Sequence, residues 1–184
     1  MSGTEKPKIY YWDACAYLAW LKNEEQAHGK ESIDALEKIA KDNFNRTAVI
    51  MTSTMTLIEV LSSSLNEDQE KRFRLSFRPQ DHLLYEVDPP IALKARDFRQ
   101  RLLKHKSGKT LSTPDAIHLA TAVIYKANWF VTFDDGKKDK RHIGLLELSK
   151  DECVDGIEIC RPEVPKPKPE PPQDELFGDA GPSN

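Results

Sequence analysis

Four acids stand where short apolar runs end or where helices begin. Asp13 follows Ile9-Tyr10-Tyr11-Trp12, and Asp134 follows Trp129-Phe130-Val131-Thr132-Phe133. Asp115 follows Thr113-Pro114, a strong helix start. Glu59 lies mid-helix among Leu57, Ile58, Val60 and Leu61. Singly, each has an ordinary role: an N-cap for Asp13, a first-turn partner of the helix dipole for Asp115, a solvent-facing acid for Glu59, a turn for Asp134-Asp135-Gly136. Gathered in one place they repel one another and take up protons unless a cation screens them. Carboxylate oxygens select Mg²⁺ or Mn²⁺ over softer metals. Such ions hold phosphate oxygens and lower the pKa of a bound water. An acid cluster without a Cys–His or Ser–His nucleophile pattern therefore points to phosphodiester hydrolysis.

The elements that must position these acids alternate between strand and helix signals. Strand runs are expected at residues 9–12, 48–51, 83–87 and 129–132, with weaker ones at 144–148 and 157–160. Helices are expected from Asp13 to about Lys22, from Ser32 onward with Asp34 in the first turn, from Ser53 or Thr54, over residues 67–77 and 90–105, and from Thr113 to about Lys126. Strands separated by helices imply a mostly parallel sheet covered on both faces. Ligands bind such sheets at the carboxyl ends of the strands, near a switch in strand order. Asp13 and Asp134 follow two of those ends.

The chain has 184 residues, 39% hydrophobic and 31% charged, the balance of a globular domain. No apolar run reaches the roughly 20 residues of a membrane span, and the polar start 1–8 lacks the apolar stretch of a secretion signal. The expectation is a cytoplasmic protein. Cys15, Cys153 and Cys160 show neither disulfide-framework nor zinc spacing. Residues 162–184 carry seven of the twelve prolines and a net charge of -3, which leaves residues 1–161 neutral. We read 1–161 as one domain and 162–184 as a disordered, Pro-rich acidic tail, with Leu176-Phe177 its sole apolar pair.

Four stretches, taken in order, carry a resemblance. They are Ile9-Tyr10-Tyr11-Trp12-Asp13; Thr52-Ser53-Thr54-Met55-Thr56-Leu57-Ile58-Glu59-Val60-Leu61; Ser112-Thr113-Pro114-Asp115-Ala116-Ile117-His118-Leu119-Ala120-Thr121-Ala122; and Phe130-Val131-Thr132-Phe133-Asp134. Over about residues 8–150 the chain resembles the PIN-domain family, and within it the VapC-like toxin ribonucleases. The resemblance implies a three-layer α/β/α sandwich and a Mg²⁺- or Mn²⁺-dependent endoribonuclease, often a homodimer, with a cognate antitoxin as partner. It places the acidic site on Asp13, Glu59, Asp115 and Asp134, with Asp13, Asp115 and Asp134 on the metal. Thr132 matches a supporting hydroxyl. Ala14 and Cys15 depart from the family, which usually has a hydroxyl residue and then Asn or Ser there. Asp135 competes with Asp134 for the fourth acid.

Basic residues crowd the same stretches. Lys106 and Lys109 precede the third motif, and Lys137, Lys138 and Arg141 follow the fourth. If Asp115 and Asp134 converge, these residues flank the cleft and are expected to hold RNA phosphates. His118, one turn past Asp115, reads as a hydrogen-bonded helix histidine. Tyr10, Tyr11, Trp12, Tyr17 and Trp20 read as core and dimer surface. Two rival functions stay open. One is a non-catalytic PIN-like module binding RNA or protein. The other is a small-molecule phosphohydrolase, although the Asp-x-Asp signature of one large phosphatase class is broken by Cys15.

Overall fold

The computed structural model of the chain describes residues 6–78, 81–137 and 140–163. The tail from 164 onward and Lys138, assigned above to disorder and to RNA, lie outside the described residues. Five strands form one sheet: β1 (Lys8–Trp12), β2 (Ala48–Ser53), β3 (Leu83–Tyr85), β4 (Trp129–Val131) and β5 (Ile159–Cys160). Their order is β3-β2-β1-β4-β5 and every pairing is parallel. The chain steps outward from β1 to β2 to β3, then returns to pair β4 on the other side of β1. The switch point therefore falls between the ends of β1 and β4.

Strand side chains alternate between the faces, and the apolar pattern follows. Tyr11 pairs in register with Met51 and with Phe130. All three are buried on one face, under α6 (Pro89–Leu102) and α7 (Thr113–Ile124), with Ile91, Phe98, Leu102, Leu119 and Ala120. Trp12, Ile50 and Val131 point the other way, into a cluster with α1 (Ala14–Lys22), α3 (Lys30–Phe44) and α5 (Glu67–Leu75). Tyr17, Ile33, Leu36 and Phe73 fill that second core. Each large side chain so buried contributes about 1.5–3 kcal/mol. The three-layer α/β/α architecture expected from the sequence is the one observed. Tyr11, Trp12, Tyr17 and Trp20 are core.

Three local expectations change. Residues 144–148 are not a strand: Leu145–Leu148 is a 3-10 turn. Its first two N–H groups are taken by Asp134, through Oδ2 at 3.0 Å to Leu145 and the backbone carbonyl at 3.0 Å to Leu146, so no ladder can form. Ser32 does not cap a helix. Gly29, at a φ of +85°, turns the chain so that α3 begins at Lys30, and Asp34 instead pairs with Lys30. The short helix α2 (Glu25–His28) precedes it; with no buried residue it has no apolar periodicity to signal it. The helix α4 (Thr54–Leu61) begins where expected, although Ser53 makes no side-chain cap bond to it. Among the described residues no helix is long and apolar enough to cross a membrane, and the three cysteines are free.

Candidate active site

Asp13 and Asp134 sit at the switch point because β1 and β4 end there. Asp13 turns its extended backbone into α1 as the N-cap, with Oδ1 accepting from the Ala16 N–H at 2.9 Å. Its Oδ2 accepts from the Thr132 hydroxyl at 2.5 Å. That same hydroxyl oxygen accepts from the Asp134 N–H at 3.0 Å. Asp13 is only 3% exposed. Burial pushes its carboxyl up to about 7, against the Thr132 and Ala16 hydrogen bonds and the His118 ring, while Asp115 pushes in the same direction as burial.

Asp115 is fixed by the start of α7. Ser112 caps the helix by accepting the Asp115 N–H at 3.1 Å, and its hydroxyl also donates to Asp115 Oδ2. Burial raises the Asp115 carboxyl; the Ser112 bond and His118 oppose this, and Asp134 and Glu59 add to it. Glu59, on α4, reaches α7 through His118, whose Nε2 lies 2.6 Å from Glu59 Oε2. His118 is 1% exposed, in keeping with the hydrogen-bonded helix histidine expected.

The convergence is clearest at Cys15, in the first turn of α1. Asp13 first, then burial, Asp134, Asp115 and Glu59 push its thiol above the usual thiol range. Four acids from four distant stretches act on one sulfur. Asp135 is not among them: its carboxylate turns to Lys137 at 2.8 Å and Arg161 at 3.3 Å and is held low by them.

Asp134 is more committed than its sequence position suggests. Oδ1 accepts from the Gly136 N–H and Oδ2 from the Leu145 N–H, both at 3.0 Å. It therefore also closes the 134–146 loop. The two basic segments meet beside that loop. Thr110 N–H donates to the Arg141 carbonyl at 3.1 Å, and Ile143 N–H donates to the Thr110 carbonyl at 2.9 Å. Lys109 pairs with Glu147 at 2.9 Å, Lys137 pairs with Asp135, and Lys106 is exposed.

Among the described residues, no group of three or more His, Cys, Asp or Glu is arranged to hold a metal ion. The donor chemistry nonetheless fits a hard divalent cation, for which mutually repelling carboxylates are the ordinary ligands. Mg²⁺ in particular keeps several waters and is held by one or two carboxylates together with substrate phosphates, so a closed protein cage is not required. The sequence did not reveal the Glu59–His118 contact, nor the cavity of about 370 Å³ between α6 and α7, rimmed by Arg96 and Arg99 beside Thr110. Neither has a local signal, because each joins residues from separate elements.

A five-stranded parallel sheet with acids near its switch point is an α/β architecture suited to ligand binding at the strand ends. The chain belongs to the PIN domain family, whose sequence profile matches residues 10–142. Among curated proteins no sequence matches this chain significantly. Among solved structures it is similar to DNA-bound VapBC from Salmonella typhimurium, at 17% identity and a TM-score of 0.52, covering 83% of this chain and 96% of that one. It is also similar to VapBC2 from Rickettsia felis bound to a DNA fragment from their promoter, at 18% identity and a TM-score of 0.49, covering 73% and 92%.

Proposed function

We propose that the chain is a metal-dependent endoribonuclease that hydrolyses RNA phosphodiester bonds, the toxin of a toxin–antitoxin pair. The observation that carries the reading is geometric: the Thr132 hydroxyl ties Asp13 to the Asp134 backbone at the ends of β1 and β4, and Glu59 of α4 meets His118, one turn past Asp115 on α7. Helix capping and loop closure account for three of these acids singly but give no reason to bring four like charges together. A cation and a polyanionic substrate supply one.

In this reading Asp13, Asp115 and Asp134 hold Mg²⁺ or Mn²⁺. When bound, the cation would neutralise phosphate charge and ease deprotonation of the attacking water. The protein's share is positioning. Thr132 orients Asp13 and the Asp134 backbone together. Ser112 orients Asp115. Glu59 would bind the ion directly or orient a water. Lys106, Lys109, Lys137, Lys138 and Arg141 hold flanking phosphates. Mn²⁺ and Mg²⁺ remain equal candidates, since carboxylate oxygens serve both. A cognate antitoxin covering the acidic cleft and a homodimer rest on the family resemblance.

The test is direct. Purified chain is incubated with a panel of RNAs, with Mn²⁺ and then with excess chelator. Cleavage that stops with the chelator, and that Asp13→Asn abolishes in a folded protein, is expected. The inward hydrogen bonds of all four acids favour a second reading, a non-catalytic RNA-binding module. RNA binding without any Mn²⁺-dependent cleavage would select it.

A further inference from the structure

Glu59 differs from the other three acids in what holds it. Asp13, Asp115 and Asp134 are fixed by helix caps, loop N–H groups and hydroxyls close to strand ends. Glu59 lies on the outward part of α4, beside Ile58, which is 64% exposed. Its hydrogen-bond partner is a side chain from another helix, the buried His118 of α7, at 2.6 Å. Among the described residues, Oε1 of Glu59 makes no hydrogen bond.

The other ring nitrogen decides what His118 is doing. Nδ1 lies 2.8 Å from the Tyr11 hydroxyl and 3.3 Å from the Ser53 hydroxyl. Tyr11 is wholly buried in β1, its ring stacked on Phe130 at 5.0 Å and edge-on to His118 at 5.8 Å. A phenol so buried keeps its proton: burial raises it far above the ordinary range. Its O–H can donate to Nδ1, and on the other side a carboxylate oxygen only accepts, so the 2.6 Å contact with Glu59 places a hydrogen on Nε2.

We infer that His118 is a positioning residue: its Nε2–H, steadied by Tyr11 on the other side of the ring, clamps Oε2 of Glu59 and leaves Oε1 as the oxygen offered to a bound ion or water. The inference rests on the proposed role of Glu59 and adds the device that fixes it. A long, half-exposed glutamate would otherwise lose its rotamer freedom at the moment a ligand binds. Here that ordering is built into the fold by two buried rings. Ser53 takes part as well, which accounts for its hydroxyl serving His118 rather than the N-terminus of α4.

Long-range ¹H–¹⁵N spectra of the imidazole nitrogens in the ¹⁵N-labelled, metal-free full chain read the tautomer without reference to catalysis. A protonated Nε2 is expected, less fully populated in Tyr11→Phe. Mn²⁺ affinity, read by electron paramagnetic resonance, should fall about tenfold in His118→Leu, the usual cost of losing a ligand's outer partner. His118→Gln, whose amide N–H replaces Nε2–H, should recover most of it. The Gln variant also covers the case in which Leu fails to fold. A ring protonated at Nδ1 alone, or wild-type Mn²⁺ affinity in folded His118→Leu, overturns the inference. A chain with the expected tautomer and the expected loss of affinity but no RNA cleavage overturns the nuclease reading instead.

Discussion

The Thr132 hydroxyl joins the ends of β1 and β4: it donates to Asp13 Oδ2 at 2.5 Å across 119 residues while accepting the Asp134 N–H. One oxygen thus sets the relative position of two acids. Thr132→Val keeps the shape and removes both bonds, leaving a buried carboxylate oxygen and a backbone N–H short of a partner. A loss of about 1–3 kcal/mol is expected in urea unfolding, together with weaker Mn²⁺ binding. Thr132→Ser should restore both. Unchanged stability and metal affinity in the valine variant would show that the hydroxyl does no positioning.

Asp13 makes stability depend on pH in a direction opposite to that of most carboxylates. Its folded pKa, pushed up to about 7, lies above the ordinary value of 3.8. Between those values the folded chain binds the proton more tightly than the unfolded chain, so stability falls as pH rises and levels off above about 7. Each pKa unit is worth roughly 1.4 kcal/mol. Asp115 shifts the same way. His82, pushed down to about 4 by burial, opposes both below about pH 6.5. The difference between wild type and Asp13→Asn removes the His82 contribution. In chelator, Asp13→Asn should gain melting temperature over wild type at pH 7.5 and little at pH 4.5. Mn²⁺ should narrow the gap at pH 7.5 by stabilising wild type alone. A gap independent of pH would contradict the assignment.

Much of this site could be read along the chain, and the reason is local. Asp13 and Asp115 are announced by helix-start chemistry, and Asp134 by the β-rich run before it. The layers followed from alternation, since Tyr11 and Trp12 face opposite cores. What escaped depends on contacts distant in sequence. Leu145, Leu146 and Leu148 have a strand's composition, yet two hydrogen bonds to Asp134 turn them into a 3-10 turn. His118 and Glu59 meet across 59 residues, with neither neighbourhood advertising the other.

The loop closed by Asp134 depends on two glycines in backbone contact. A Cβ on Gly144 would collide with the Gly136 backbone nitrogen, and Gly136 itself has a φ of +71°. Gly144→Ala must push the loop away from Asp134 and loosen the Leu145 N–H from Oδ2. Such overpacking costs about 1–3 kcal/mol. Urea unfolding should show that loss, and hydrogen exchange at Leu145 and Leu146 should accelerate. Wild-type protection at both amides would mean that the loop tolerates the methyl group.

The paired basic segments invite a salt test. Lys109 meets Glu147 in an exposed ion pair, which is worth little and exchanges readily for a phosphate. Lys106→Ala with Lys109→Ala should weaken binding of single-stranded RNA in chelator. The slope of log affinity against log salt should flatten by about 0.7 for each phosphate that the lysines no longer neutralise. An unchanged slope would place the RNA elsewhere on the surface.

Asp134 and Asp135 compete for the fourth position, and their surroundings separate them. Asp134 acts on Cys15 and Asp115. Asp135 is drawn outward by Lys137 and Arg161 and belongs to neither environment. Asp135→Asn should therefore keep cleavage within about twofold of wild type, because an exposed ion pair contributes at most about 1 kcal/mol. Asp134→Asn removes a negative charge and replaces one of two carboxylate oxygens, each accepting a loop N–H, with an NH2 that cannot accept. Both metal affinity and the order of residues 134–146 should suffer, whereas a purely structural acid would lose only the second. Mn²⁺ titration and hydrogen exchange of the same Asp134→Asn sample separate these effects. Wild-type Mn²⁺ affinity with a loosened loop would make Asp134 a strut and leave Asp13, Glu59 and Asp115 to hold the ion.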